Sequence, residues 1–291
     1  MQTIGFIDYF LDEWHANNYP EWIKQASGGE LQVAYAYGKI DSSVSFEGMA
    51  LSQVYPAYYQ MIDLVCGTQE EVVEKSDCLL VLSPDNCEMH EELCQIPLRS
   101  GKRTYVDKTF APDLAAAERL FAIARQSGTP CYSTSALRFA AEYRDIRPDE
   151  VTAVSCWGPN DFDTYSVHQL EPLMMLMGAE PARVMWLDGE KWMSLAVQFR
   201  DGRCATLSCF AGGSPFVTNV SLRSGNRLIT VESDFFAAFI EELCRFYQTG
   251  EVRVPHRETL AIMAVRGAGL LAAKTPGVWV DVPSPAAATA L

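Results

Sequence analysis

Hydrophobic positions along the first 135 residues fall into short unbroken runs separated by amphipathic stretches. Residues 2–7 ("QTIGFI"), 31–37 ("LQVAYAY"), 78–84 ("CLLVLSP"), a run inside "GKRTYVDKT" and 130–134 ("PCYST") have the apolar, β-branched or aromatic content of buried strands. Between them, 15–27, 68–76, 86–100 and "APDLAAAERLFAIARQSG" carry helical spacing. Thr68 is placed to cap the second of these, and Gly128 stands just past the end of the last. Strand and helix in alternation predict a parallel sheet covered by helices on both faces.

From about Val151 the pattern changes. One helix, 167–178, precedes runs that alternate with period two: "RVMWLDG", "WMSLAVQFR", "RCATLSCFA", "FVTNVSLRS" and "NRLITVE". Helices over 234–249 and 256–273 follow, and "VPSPAAATAL" reads as a frayed tail. The expected fold class is α/β. A Rossmann-like doubly wound parallel sheet occupies 1–135, and an α+β domain with an open, mostly antiparallel sheet occupies 136–291.

Composition narrows the function. The 291 residues are 48% hydrophobic and 21% charged, enough chain for two domains with sizeable cores and no covalent staples. A net charge of -14 disfavours nucleic acid and anionic membranes as partners. The nine cysteines are odd in number and form no CxxC pair, which suits reduced, buried thiols. With no signal-peptide pattern at the start and no apolar run of membrane-spanning length, the expectation is a cytoplasmic protein. Cys87, His90 and Cys94 share a helix face in this pattern. Seven residues separate the two cysteines, about 10 Å of helix axis, too far to share one ion, so no metal is expected.

The block "LSPDNCEMHEELCQIPLRSGKRTYVDKTFAPDLAAAERLFAIARQSGTPCYSTSALRF" resembles the glucose-fructose oxidoreductase/inositol dehydrogenase (Gfo/Idh/MocA) family. The resemblance rests on Pro84, His90, Gly101-Lys102, Asp107-Lys108-Thr109 and Arg138-Phe139. "VHQLEPLMMLMG" resembles that family's helix with a catalytic histidine and a following acid. The region from "FIEELCRFY" to "VWVDV" resembles its closing helix pair and last strand.

The resemblance implies an NAD(P)-dependent oxidoreductase acting on a sugar- or polyol-like small molecule, with homo-oligomers formed through the second-domain sheet. It implies Lys108 and His168 as proton-handling groups and Glu171 as the acid that orients the site. It places cofactor contacts at Asp8, Phe10 and Leu11, at Tyr37, at Ser83, Pro84 and His90, and at Asp107. Thr109 stands where the family has a proline after a bond that is often cis. A cis bond to a non-proline residue costs about 2.5–4 kcal/mol, so Lys108 is expected to point elsewhere. The family's further aspartate, four before the histidine, is Thr164 here, with Asp161 and Asp163 off register. His15 reads equally as structural or ligand-facing, and His256 as a surface group in a helix cap. Arg138 either pairs with an anion or packs between domains.

The opening "IGFIDYFLDEWHANNYPEW" departs furthest. The three glycine places of a dinucleotide-binding turn fall near Asp8, Phe10 and Glu13, none of which leaves backbone bare for a diphosphate. Asp8, Asp12 and Glu13 add negative charge beside a doubly charged group. Each such encounter at 4–6 Å costs on the order of 3–4 kcal/mol at an effective dielectric near 20, more than a helix dipole returns. No acid ends the second strand, Asp41 comes late, and no arginine pair suits a 2′-phosphate, so NAD is favoured over NADP. The stretch is expected to be a capped helix start with Asp12 as cap. The alternative to a dehydrogenase is a cofactor-free member that binds a neutral or cationic small molecule, as a sensor or an assembly subunit.

Overall fold

A computed structural model describes residues 1–11, 13–39 and 64–286. Asp12, Asp41 and the last residues of the alanine-rich tail lie outside the described residues. The chain divides into two compact units. The first comprises Met1–Ala111, Arg119–Ser133 and Ala237–Val254, and the second Pro112–Glu118, Thr134–Phe236 and Pro255–Leu291.

Among the described residues, the first unit is built on six strands: β1 (Gln2–Asp8), β2 (Leu31–Gly38), β3 (Leu64–Val65), β4 (Cys78–Val81), β5 (Thr104–Val106) and β6 (Cys131–Tyr132). They lie in the order β3-β2-β1-β4-β5-β6, and every pairing is parallel. β1 and β4 therefore meet where the winding of the sheet reverses, the crevice at which such sheets bind ligands.

Helix α1 (Trp14–Ala26) buries Ala16, Tyr19, Pro20 and Ile23. Helix α2 (Gln69–Lys75) is capped as expected, Thr68 accepting from the Glu71 amide. It packs so tightly on β1 that a Cβ at Gly5 would lie 2.4 Å from Val72 Cγ1 and from Ser76 Oγ. The helix expected over 86–100 is broken into a 3-10 turn Cys87–Met89, one helical turn α3 (His90–Leu93) and a second 3-10 turn Pro97–Arg99. Pro97 lacks the amide that a continuous helix needs there, and the single helix face assumed for Cys87, His90 and Cys94 does not exist. Helix α4 (Leu114–Ser127) follows β5.

In the second unit, strands β7 (Val151–Pro159), β8 (Pro181–Asp188), β9 (Trp192–Phe199), β10 (Cys204–Phe210), β11 (Val217–Leu222), β12 (Gly225–Thr230) and β13 (Trp279–Asp281) form one sheet, ordered β12-β11-β7-β10-β9-β8-β13. It is mostly antiparallel, with β7 and β10 running parallel. β7 was not anticipated: small and polar residues interrupt its apolar positions in "VTAVSCWGP".

Helix α5 begins at Phe162, five residues earlier than expected, and runs to Met177. Asp161 starts it by accepting from the Thr164 amide at 2.8 Å, and Gly178 ends it in the left-handed conformation. Helix α6 (Phe235–Thr249) lends its residues from Ala237 onward to the first unit. There Phe239 meets Tyr105 and Tyr19, and the Tyr247 hydroxyl donates to the Leu79 carbonyl at 2.9 Å. Helix α7 (His256–Ala272) packs against α5 in the second unit. A Cβ at Gly269 would lie 2.5 Å from Phe162 Cζ, so glycine permits that approach. All nine cysteines are free, eight of them buried and Cys204 exposed. Among the described residues no helix is long and apolar enough to cross a membrane.

Candidate functional site

Three strand ends and the start of one helix bring the first unit's candidates together. Asp8 is the last residue of β1. It is 1% exposed, its Oδ1 accepts from the Phe10 amide at 3.3 Å, and its Oδ2 is buried with no hydrogen-bond partner among the described residues. Burial, and next the Glu13 carboxylate, push the Asp8 carboxyl well above its ordinary range.

Asp107 follows β5 and is equally buried. Its Oδ1 accepts from the Tyr105 hydroxyl at 3.2 Å and from the Lys108 amide at 2.8 Å. Its Oδ2 has no hydrogen-bond partner among the described residues and lies 3.9 Å from His15 Nε2. The Lys108–Thr109 bond is cis, against the expectation drawn from Thr109. Lys108 is 6% exposed, and its Nζ lies 3.4 Å from the Pro84 carbonyl and 3.5 Å from Asp85 Oδ1.

Ser83 and Pro84 are buried where β4 ends, Ser83 with a positive φ of 79°. His90 is fully buried. Its Nδ1 faces the Phe110 carbonyl at 3.0 Å and its Nε2 the Leu82 carbonyl at 2.6 Å, so it braces the chain beyond β4 against the chain beyond β5. Burial holds its pKa below the usual imidazole value, the two carbonyls opposing this. Leu11 is buried and Phe10 half-buried. Tyr37 lies on the neighbouring strand β2, in register with Ile7 of β1 and one residue before Gly38, which faces Asp8.

Glu13 caps α1; Asp12, expected as the cap, lies outside the described residues. Its Oε2 accepts from the His15 amide at 2.8 Å, and its Oε1 from the Ala16 amide. His15 Nδ1 lies 2.8 Å from the same Oε2. Burial pulls His15 down, but Asp107 and Glu13 outweigh it and leave the imidazole above its usual value.

The second unit holds the other candidates. His168 lies in the second turn of α5, not at its start, with Nδ1 2.6 Å from Ser135 Oγ. Its ring also meets Tyr165 and Phe216 edge-on. Glu171 is buried one turn further along. Its Oε2 accepts from Arg138 Nε at 2.8 Å and from the Thr134 hydroxyl at 3.0 Å, and Arg138 also pairs with Glu258. Burial raises the Glu171 carboxyl despite the guanidinium beside it. The anion that Arg138 meets is thus a pair of carboxylates within its own unit. Asp161 is spent on the cap of α5, and Asp163 pairs with Arg266.

Ser135 escaped the sequence analysis. Its only signal was its place directly before the "ALRF" turn, which it caps by accepting from the Leu137 amide at 3.4 Å. Glu13 was noticed for its charge, but its capping role was assigned to Asp12.

No protein-family model matches the chain. A segment of 43 residues is 37% identical to N-acetyl-gamma-glutamyl-phosphate reductase of Clostridium kluyveri, over 15% of this chain and 12% of that protein's length. Solved structures match nearly end to end. Myo-inositol dehydrogenase from Lactobacillus casei, in complex with NAD(H) and myo-inositol, aligns with TM-score 0.79 at 11% identity, covering 98% of each chain. Scyllo-inositol dehydrogenase from the same organism, with bound NAD(H) and scyllo-inositol, aligns with TM-score 0.76 at 13% identity, over 97% of this chain and 99% of that one. A probable dehydrogenase from Thermotoga maritima aligns with TM-score 0.74 at 13% identity, over 96% and 98%. The chain thus has the fold of the inositol dehydrogenases, a Rossmann-type sheet followed by an open-sheet α+β unit. At the level of fold, this bears out the resemblance to the Gfo/Idh/MocA oxidoreductases.

Proposed function

We propose that this chain is an oxidoreductase of the Gfo/Idh/MocA type, acting at a hydroxyl-bearing carbon of a sugar- or polyol-like small molecule. The observation that carries the proposal is Lys108, a buried lysine just past β5 at the carboxyl edge of a sheet whose strand order is that of the dinucleotide-binding folds. Its ammonium would donate to the substrate oxygen and stabilise alkoxide character. His168 would take the hydroxyl proton, its ring steadied by Ser135. Glu171 serves as a positioning residue: with Arg138 and Thr134 it ties α5 to the segment that bears Ser135.

A nicotinamide cofactor is the redox partner this function implies, and NAD is favoured because no arginine pair follows β2. Once bound, it would supply the hydride chemistry. The turn between β1 and α1 does not fit the diphosphate of such a cofactor. The amides of His15 and Ala16 already hold Glu13, and Asp8 adds a buried carboxyl. The same observation favours the alternative, a cofactor-free member of the fold that binds a small molecule as a sensor or assembly subunit. Cytoplasmic location, no nucleic-acid partner, and self-association through the open sheet belong to the same proposal. The net charge of -14 supports the second of these.

The test is a coupled screen of inositols, hexoses and their acids with NAD and NADP, read by nicotinamide absorbance. Turnover is expected with at least one polyol-like substrate, and Lys108→Ala and His168→Ala should each lower it by about 100-fold or more. Absence of turnover across the screen, with a polyol still raising the melting temperature, would favour the cofactor-free alternative.

A further inference from the structure

We infer that helix α1 carries its own anion: Glu13 occupies the amino-terminal amides at which a dinucleotide's diphosphate would bind, so a diphosphate ligand must displace it. The inference rests on the proposed function only in taking a dinucleotide as the ligand at issue.

A helix amino terminus attracts phosphate because its first amides lack partners and its dipole points outward. In this chain those amides are engaged. Glu13 Oε2 accepts from His15 N at 2.8 Å, and Oε1 from Ala16 N. The carboxylate is also fastened from the side, since His15 Nδ1 lies 2.8 Å from Oε2. The other ring nitrogen is in turn 3.9 Å from Asp107 Oδ2. The imidazole thus sits between two carboxylates, one on the helix cap and one beyond β5. Asp8 adds a second acid at the same turn. Where a glycine would leave bare backbone, its side chain turns onto the Phe10 amide at 3.3 Å.

A diphosphate arriving here meets a like charge and finds its donors taken. It gains these amides only if Glu13 swings away and gives up its contact with His15. The resident carboxylate and the ligand therefore compete for one set of donors, and removing the carboxylate should strengthen the ligand.

ADP-ribose is the probe, because it carries the diphosphate and both riboses but no nicotinamide, and so reports binding without redox chemistry. Isothermal titration of the full chain compares wild type with Glu13→Ser, which retains a capping oxygen without the charge. Glu13→Gln, which keeps the size and an acceptor oxygen, replaces it if the serine variant does not fold. Tightening by about tenfold or more in the variant, with adenosine binding unchanged, is the expected result. Wild-type binding in the micromolar range that the variant leaves equal or weaker would overturn the inference. A folded variant that gains nothing for ADP-ribose would overturn it equally. Failure of the oxidoreductase proposal looks different: no substrate turns over, whatever the variant does to ADP-ribose.

Discussion

At the scale of the residue, the chemistry of the first unit is set by carboxyl groups out of water. Asp8 is the clearest case. Its carboxyl is raised by burial and by the facing Glu13 and Asp107, so the folded chain holds a proton that the unfolded chain releases. The stabilisation is complete below the ordinary carboxyl range and is lost as pH rises through the raised folded value. Asp8→Asn removes this dependence while keeping an acceptor for the Phe10 amide. Wild type and variant should therefore match in denaturant midpoint near about pH 4 and diverge above it. The variant should be the more stable near about pH 8, with its advantage growing as pH rises. A difference that does not change with pH would refute the assignment. Charge at this turn was legible in the sequence, because Asp8 and Glu13 fall on glycine positions. Which acid caps the helix was not, because Asp12 and Glu13 are adjacent and only the position of the first helical amides separates them.

At the scale of the element, apolar periodicity located most strands and helices, and it failed where something other than periodicity set the boundary. α5 starts five residues before its apolar run because Asp161 captures the Thr164 amide, which moves His168 from the helix start into its second turn. β7 was missed because a strand in the interior of the second sheet carries threonine and serine between its buried positions and has a glycine at one of them. Ser135 was invisible for a related reason: its importance depends on α5, 33 residues away in sequence. Close packing of α5 and α7 is a separate claim and can be tested by itself. Gly269→Ala would set a methyl 2.5 Å from the Phe162 ring. Overpacking of this kind costs about 1–3 kcal/mol, so urea denaturation should show a loss in that range. A neutral result would mean that the two helices have room to spare.

At the scale of the whole molecule, the fold aligns end to end with two dehydrogenases of inositols while identity stays at 11–13%. The alternation of strand and helix in the first unit and the period-two runs of the second were the features of this fold most legible in the sequence. The open sheet of the second unit exposes Trp192 on β9, Phe210 on β10 and Leu228 on β12, which supports self-association through it. Light scattering coupled to size-exclusion chromatography should then give a multiple of the 32.3 kDa chain mass. Trp192→Glu and Leu228→Glu together should shift the species toward monomer, and a monomeric wild type would remove this part of the proposal.

The claim that most separates this chain from the dehydrogenases it resembles in fold is that the amino terminus of α1 is already occupied by Glu13. Diffraction from crystals grown with saturating NADH tests it most directly. The account predicts that the diphosphate and the Glu13 carboxylate exclude each other at the amides of His15 and Ala16, so that any phosphorus seated there finds the Glu13 side chain turned away. A diphosphate bound at this turn with both Glu13 contacts intact would contradict it.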